Sequence, residues 1–355
     1  MNPAINLQSN YPVLAEQDAS WNRLLHEAVD RFAPASLRLP AFGGSVENRR
    51  LAAAWLDVPL ERTFIGTCGH HGLIATLMAA GLVGKTVAVE ALTYPWFVRQ
   101  SQMLGMRVVS VALDGECMIP GALRAVCERE PVAAVYTMPS LHNPTSAVAP
   151  LARRLAMVEV AREFDLTIIE DAAYSFLLED EPARYAALAP ERAFYVESLS
   201  KPVAPGLRTA FLVAPEALAT QAELALRLTT SGSSTLLASL GCSMAADGSL
   251  AAVIQAKRVE GDLRRLKALE MLDGLEVMAT QNSWHLWVTL PQGDPRSGED
   301  IERACEERGV LTTGAKWFAA PETVVPRAVR IGLGGETEWE RVADGLRVFS
   351  EVVRG

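Results

Sequence analysis

The stretch Phe194-Tyr-Val-Glu-Ser-Leu-Ser-Lys-Pro-Val-Ala-Pro-Gly-Leu-Arg208 decides how the chain is read. Its front, residues 193–196, is an apolar-rich run of strand length that ends abruptly at Ser198. The hydroxyls of Ser198 and Ser200 flank a single lysine, Lys201. Pro202, Pro205 and Gly206 forbid a helix and fix a stiff loop, which Arg208 closes. A lysine held by rigid backbone at the end of a buried strand suits a lysine that must react. An ordinary surface loop with a solvated lysine fits the same local pattern, so the neighbouring stretches have to decide.

Outward from that stretch, strand and helix signals alternate. Short, nearly continuous apolar runs at 63–67, 86–90, 107–111, 132–138, 166–170 and 210–213 read as strands, with helical spacing at 73–80, 120–130 and 150–163. This rhythm predicts an α/β fold, a mostly parallel, seven-stranded-type sheet with helices on both faces. Residues 214–250 turn helical, and 251–272, rich in Arg and Lys, read as a helix linking two domains. The remainder has fewer alternations and predicts a smaller α+β domain. The expected division is 1–45 as an N-terminal segment contributing to the small domain and a dimer interface, 46–250 as the large domain, and 251–355 as the small one. The first 20 residues carry no period and read as irregular.

Composition narrows the function classes. The 355 residues are 50% apolar and 21% charged, enough for one large core and a smaller second one. A formal charge of −9 without a long basic block argues against nucleic acid as a partner. No apolar run reaches the roughly 18 residues of a membrane span, and the start lacks the pattern of a secretory signal. Five scattered cysteines without a CxxC pair predict reduced thiols in the cytoplasm, and no metal site.

In an open α/β sheet, ligands bind beyond the carboxyl ends of the strands. After 63–67 comes Gly69-His70-His71-Gly72 at a helix start, an anion cradle of free N–H groups. After 132–138 comes Asn143 in a turn. After 166–170 come Asp171 and Tyr174, and after 193–196 come Ser198, Ser200, Lys201 and Arg208. An anion site, an amide, a carboxylate, a phenol, a lysine and an arginine therefore converge on one rim.

Asn143-Pro144-Thr145, Asp171-x-x-Tyr174 and Ser198-x-Ser-Lys201 followed by Pro-Gly-x-Arg208 resemble the class I/II aminotransferases, fold type I pyridoxal-phosphate enzymes. Order and spacing match over about residues 66–212, with a weaker match to Val329-Arg330-Ile331. The resemblance is closest to the group of 2-aminoadipate aminotransferases and MocR-type effector domains. It implies transfer of an amino group from an amino acid to a 2-oxo acid through a Lys201 Schiff base, in a homodimer. Lys201 would also shuttle the Cα proton. Asp171 would keep the pyridine nitrogen protonated and itself be held ionised. Tyr174 and Asn143 would hydrogen-bond the ring oxygen. Gly69, His70, Ser198, Ser200 and Arg208 would hold the phosphate, and Tyr94 would stack on the ring. Arg330 would grip the substrate carboxylate, a contact worth roughly 1.5–3 kcal/mol.

Two features depart from the family. His70 and His71 stand where small or amide residues are usual, as helix-start packing or as phosphate or substrate contacts. Phe42 replaces a tyrosine that reaches the neighbouring subunit's phosphate, and is expected to pack at the dimer interface. Asn10, Tyr11 and the Lys316-Trp317 pair are expected at the substrate pocket. The departures keep open a decarboxylase, a β/γ-eliminating lyase or a cyclase using the same cofactor. A ligand-sensing module without catalysis is disfavoured, because no helix-turn-helix segment precedes the fold.

Overall fold

Burial follows the strand pattern closely: all six residues of the run Ala193–Ser198 are buried, as are all four of Thr63–Gly66 and Ala210–Val213. The structure, a computed structural model, describes residues 4–355. In chain order the strands are β1 (Ile5–Asn6), β2 (Thr63–Gly66), β3 (Thr86–Glu90), β4 (Arg107–Val111), β5 (Leu113–Asp114), β6 (Cys117–Met118), β7 (Ala134–Thr137) and β8 (Thr167–Asp171). They continue with β9 (Ala193–Ser198), β10 (Ala210–Val213), β11 (Glu276–Met278), β12 (His285–Thr289), β13 (Val310–Leu311), β14 (Thr313–Gly314) and β15 (Ala328–Gly332). The helices are α1 (Gln17–Phe32), α2 (Val46–Leu56), α3 (Gly69–Ala79), α4 (Pro95–Met103), α5 (Pro120–Arg129) and α6 (Leu151–Glu163). Then come α7 (Tyr185–Leu188), α8 (Ala219–Thr230), α9 (Thr235–Asp247), α10 (Ser249–Met271), α11 (Gly298–Glu307) and α12 (Trp339–Arg354).

Seven strands form the main sheet in the order β2-β10-β9-β8-β7-β3-β4. Only β10 runs against its neighbours. Because side chains alternate across a strand, Tyr136 and Ile169 enter the core on one face while Val135 and Ile168 enter the core on the other. Helices cover both faces, which is why these strands are apolar throughout rather than alternating. Gly72 shows how closely they approach: a Cβ there would stand 2.8 Å from Cγ1 of Val196, so its absence lets α3 lie directly on β9.

A second sheet, β11-β12-β15-β14, packs against α12 and part of α10 around a separate core that includes Leu286, Ile331, Leu346 and Phe349. The N-terminal stretch is not wholly irregular. β1 pairs in parallel with β13, Ile5 opposite Val310, and Leu7 enters this second core. A pairing between segments so far apart in the chain leaves no local period to read. Among the described residues no single helix is long and apolar enough to cross a membrane.

Candidate active site

β2, β3, β7, β8 and β9 point the same way, so their carboxyl ends share one edge of the sheet. β10 runs back, so the residues just before it, including Arg208, lie at that same edge. On this rim a cavity of about 110 Å³ is lined by the sequence-predicted Tyr11, Gly69, His70, Tyr94, Asn143, Asp171, Tyr174, Ser198, Ser200, Lys201 and Arg208. Arg330 lines a neighbouring cleft of about 840 Å³, together with Arg99, Lys316 and Trp317. Asn10 is the one that lines neither.

One end of the cavity is rich in donors. Gly69 is the first residue of α3, where N–H groups have no partner inside the helix, and a Cβ on it would crowd Ser198 Cβ at 3.4 Å. The Ser200 amide donates to Ser198 Oγ at 3.2 Å, and that hydroxyl donates to Ser200 Oγ at 3.1 Å. Arg208 takes the left-handed conformation, φ 49°, sparsely used by residues with a Cβ, and donates from Nη2 to Cys68 Sγ at 2.9 Å. The two histidines divide their roles. His71 is buried, its Nδ1 accepting from the Thr67 amide at 3.1 Å and its Nε2 meeting Thr229 Oγ1 at 2.6 Å, so it is helix-start packing. His70 faces the site, with Nε2 2.6 Å from the Tyr94 hydroxyl. Burial, then the charges of Arg208 and Lys201, push His70 below the usual imidazole range.

Lys201 is half-buried at the centre. Its Nζ donates to the Asn10 carbonyl at 2.7 Å and lies 3.4 Å from the Tyr11 ring centroid and 5.3 Å from that of Tyr174. Burial, with the Arg330 and Lys257 charges, lowers it to about 7, against the pull of Asp171. Asp171 is buried and accepts from the Tyr136 hydroxyl at 2.8 Å and the Ala173 amide at 3.1 Å. Burial raises its carboxyl to about 6, and those hydrogen bonds and Lys201 only partly offset it. Sequence reasoning expects this carboxylate to be held ionised by a cation. The cation meant there is the cofactor's pyridinium; among the described residues Lys201 is the cation that lowers the carboxyl, and burial outweighs it. Tyr174 is buried, and burial raises its phenol further above its ordinary range.

Arg330, on β15, donates from Nη1 to Asn143 Oδ1 at 2.9 Å and from Nη2 to the Gln8 carbonyl at 2.5 Å. Its Nε is buried without an acceptor among the described residues. Asn10 departs from the expected substrate contact. Its amide turns to Nδ1 of His285 at 2.9 Å, and only its backbone carbonyl reaches Lys201. His285 Nε2 faces the His142 carbonyl at 3.0 Å, so Nε2 carries the proton and Nδ1 accepts from Asn10. Burial pushes His285 down to about 3, so the ring is neutral. Phe42 is half-buried under the Arg227 guanidinium, 4.3 Å from its ring centroid.

Sequence reasoning missed Tyr136, His285 and Lys257. Tyr136 reads as one more apolar strand residue, although the strand period does put it on the same face as Met138. His285 and Lys257 belong to stretches whose approach to the rim depends on how the second sheet and α10 pack.

The sequence model of the family described as aminotransferase class I and II matches residues 2–346. The 2-aminoadipate transaminase of Thermus thermophilus is 31% identical over 330 residues, 88% of this chain and 80% of that protein. The uncharacterized HTH-type transcriptional regulator YdeF of Bacillus subtilis is 25% identical over 297 residues, 84% of this chain, which spans only 64% of the regulator's length. The crystal structure of LysN, the alpha-aminoadipate aminotransferase of Thermus thermophilus, superposes with a TM-score of 0.86 at 24% identity, covering 99% of this chain and 92% of that one. The rim motifs sit on the fold of that solved structure, and the chain belongs to the class I and II aminotransferase family, with the fold type I architecture.

Proposed function

We propose that the protein is a pyridoxal-phosphate-dependent aminotransferase, which moves the amino group of an amino acid to a 2-oxo acid with the cofactor carried covalently on Lys201. The observation that carries this reading is the meeting of Lys201, Asp171 and the Arg330–Asn143 pair at one sheet edge, with a donor-rich pocket beside them. The donor set fits the group. The Gly69 helix start, two serine hydroxyls and a guanidinium suit a phosphate dianion, and the buried Asp171 carboxylate suits a pyridinium. The buried, unpartnered Nε of Arg330 suits a carboxylate oxygen.

When bound, pyridoxal phosphate supplies the electron sink for the bond that breaks at the substrate Cα. The protein's residues do the rest. Lys201, lowered to about 7, has a large uncharged fraction at neutral pH and takes and returns the Cα proton. Asp171 holds the proton on the ring nitrogen. Arg330 orients the substrate through its carboxylate, with Asn143 fixing the guanidinium plane. The Asn10 carbonyl and the Tyr11 ring hold the lysine amine in place. The substrate side chain enters the wider cleft, whose wall carries Arg99 stacked between Trp96 and Trp317 at 4.8 and 4.3 Å.

The test is a panel of acidic, aromatic and aliphatic amino acids given to the cofactor-loaded protein with 2-oxoglutarate, with products read by mass spectrometry. A new 2-oxo acid together with glutamate supports the reading. Release of carbon dioxide or ammonia, with no transfer from any amino acid, would sink it. Arg330→Lys is expected to raise KM for both substrates roughly 10- to 150-fold, the loss of a charge-assisted bidentate contact of about 1.5–3 kcal/mol. An unchanged KM would remove Arg330 from the substrate site.

The same reading includes a cytoplasmic homodimer, with the cleft lying between the 46–250 and 251–355 units. The five free cysteines support a reducing compartment. Leu37 (89% exposed), Leu39 (74%) and Leu228 (67%) lie on neighbouring segments, since Gly232 packs on Pro40 and Gly43 on Glu223, and they support a subunit contact there. Leu39→Asp is expected to shift the protein toward monomer in light scattering and to weaken cofactor retention. A wild-type protein that is monomeric and active would overturn the dimer.

A further inference from the structure

Lys257, in the middle of α10, is fully buried, and among the described residues no carboxylate lies within ion-pair distance of it. Its Nζ donates to the carbonyl of Lys201 at 3.0 Å and to that of Val203 at 3.2 Å. Gln17 Nε2, from α1, donates to the same Val203 carbonyl at 2.5 Å. The backbone of Lys257 is held in turn, because Trp284 Nε1 donates to its carbonyl at 2.9 Å. That indole fits only because position 261 is glycine: a Cβ there would stand 2.5 Å from Trp284 Nε1.

Stability does not account for this lysine. A buried amine without a counter-charge costs free energy that an apolar side chain of equal length would not. Burial pushes Lys257 down to about 7, and an uncharged amine has two N–H donors for the two carbonyls. The neighbouring Arg258 points away, donating to the carbonyls of Phe176 and Leu178. The groups that face Lys201 itself are the Asp171 carboxylate, the Arg330 guanidinium, Lys257, the Tyr11 and Tyr174 phenols, the neutral His285 and His70. The two carbonyls that Lys257 holds bracket the Lys201–Val203 turn, so releasing them frees the backbone from which the reactive side chain projects.

We infer that Lys257 is a positioning residue for Lys201: from the α10 side it ties down the peptide carbonyls of Lys201 and Val203, and so sets where the Lys201 amine stands. This rests on Lys201 being the reactive lysine of the proposed aminotransferase.

The test reads the Lys201 amine directly, in the protein stripped of cofactor. Competitive trace acetylation with acetic anhydride across pH, followed by mass spectrometry of the peptide carrying Lys201, gives the midpoint at which that amine becomes reactive. In Lys257→Met, which matches the length and removes both donors, the midpoint is expected to rise by roughly half a pH unit or more, as the freed backbone lets the Lys201 amine move toward water. In the loaded enzyme the same variant is expected to lower kcat about tenfold or more with little change in KM, as displacement of the proton-transferring group would. Lys257→Gln, which keeps one amide donor, is expected to shift both readouts less. A folded Lys257→Met protein with an unmoved Lys201 midpoint overturns the inference. If Lys257→Met is recovered unfolded, Lys257→Gln decides: an upward shift supports positioning, and an unmoved midpoint refutes it. The labelling midpoint needs no turnover, so failure here is distinct from failure of the aminotransferase reading, which the amino-acid panel decides.

Discussion

Lys201→Ala is expected to yield a folded protein whose turnover is lost by about 10⁴-fold or more. General acid–base catalysis alone contributes roughly 10²–10⁴, and the covalent attachment is lost with it. The fold should survive, because the half-buried amine makes one hydrogen bond, to Asn10, and is not part of the core. Its stability should also lose some pH dependence. The folded-state pKa lies near 7, below an unfolded value near 10.5, so the unfolded chain binds the extra proton between those limits. The stability of the cofactor-free wild type therefore rises with pH from about 7 to 10, and falls back as pH drops toward 7. The alanine variant keeps only the share of that slope due to Lys257, whose pKa is lowered in the same way. Steady-state turnover, the circular dichroism spectrum and borohydride-trapped cofactor mass on the peptide spanning position 201 check activity and fold, and urea unfolding midpoints of the cofactor-free proteins at about pH 7 and 10 check the pH dependence. Full activity in this variant would remove the whole site assignment.

Asp171→Asn is the second large effect. Asparagine keeps the shape: its one carbonyl can still accept from the Ala173 amide, while its NH2 would donate to the Tyr136 oxygen, so the change removes the charge and turns one hydrogen bond around. Breaking one partner of a buried charge pair costs about 3–5 kcal/mol, which predicts a loss of roughly 10²- to 10³-fold or more in kcat, with weaker cofactor retention. Stability of the cofactor-free protein should move the other way. Burial raises this carboxyl to about 6 from an ordinary 3.8, so the folded state binds the extra proton between those values. The group's contribution is complete below about pH 4 and is lost as pH rises through 6. At pH 8 the asparagine variant should thus be the more stable protein, and the difference should vanish as pH falls toward 4. Urea unfolding midpoints at about pH 4, 6 and 8 measure it. An asparagine variant equally active and no more stable at pH 8 would leave Asp171 as a simple turn residue.

The features legible in the sequence are local ones. Short apolar runs separated by helical spacings specify a covered parallel sheet, and ligands gather at the carboxyl ends of such strands. Gly69, Asn143, Asp171, Ser198 and Lys201 are therefore legible from position alone. His70 and His71 are not separable that way. They are adjacent in the chain, but helix geometry turns one toward Tyr94 and the other toward Thr229. Asn10 and Tyr11 divide similarly: the Tyr11 ring reaches the Lys201 amine, while the amide of Asn10 is taken by His285, 275 positions away.

The layered α/β architecture, the family and the choice of Lys201 as the proposed reactive lysine thus follow from the chain's own order, because each rests on period, spacing and residues adjacent in the chain. The surroundings of Lys201 are set by long-range packing instead. Arg208 reaches the rim because β10 runs antiparallel, and Tyr136 reaches Asp171 because β7 and β8 are neighbours. Lys257, read from sequence as part of a charged linking helix, is instead buried behind the loop it holds. These partners lie tens to hundreds of residues apart, so only folding of the whole chain brings them together, and desolvation there is what lowers the Lys201 amine toward neutrality.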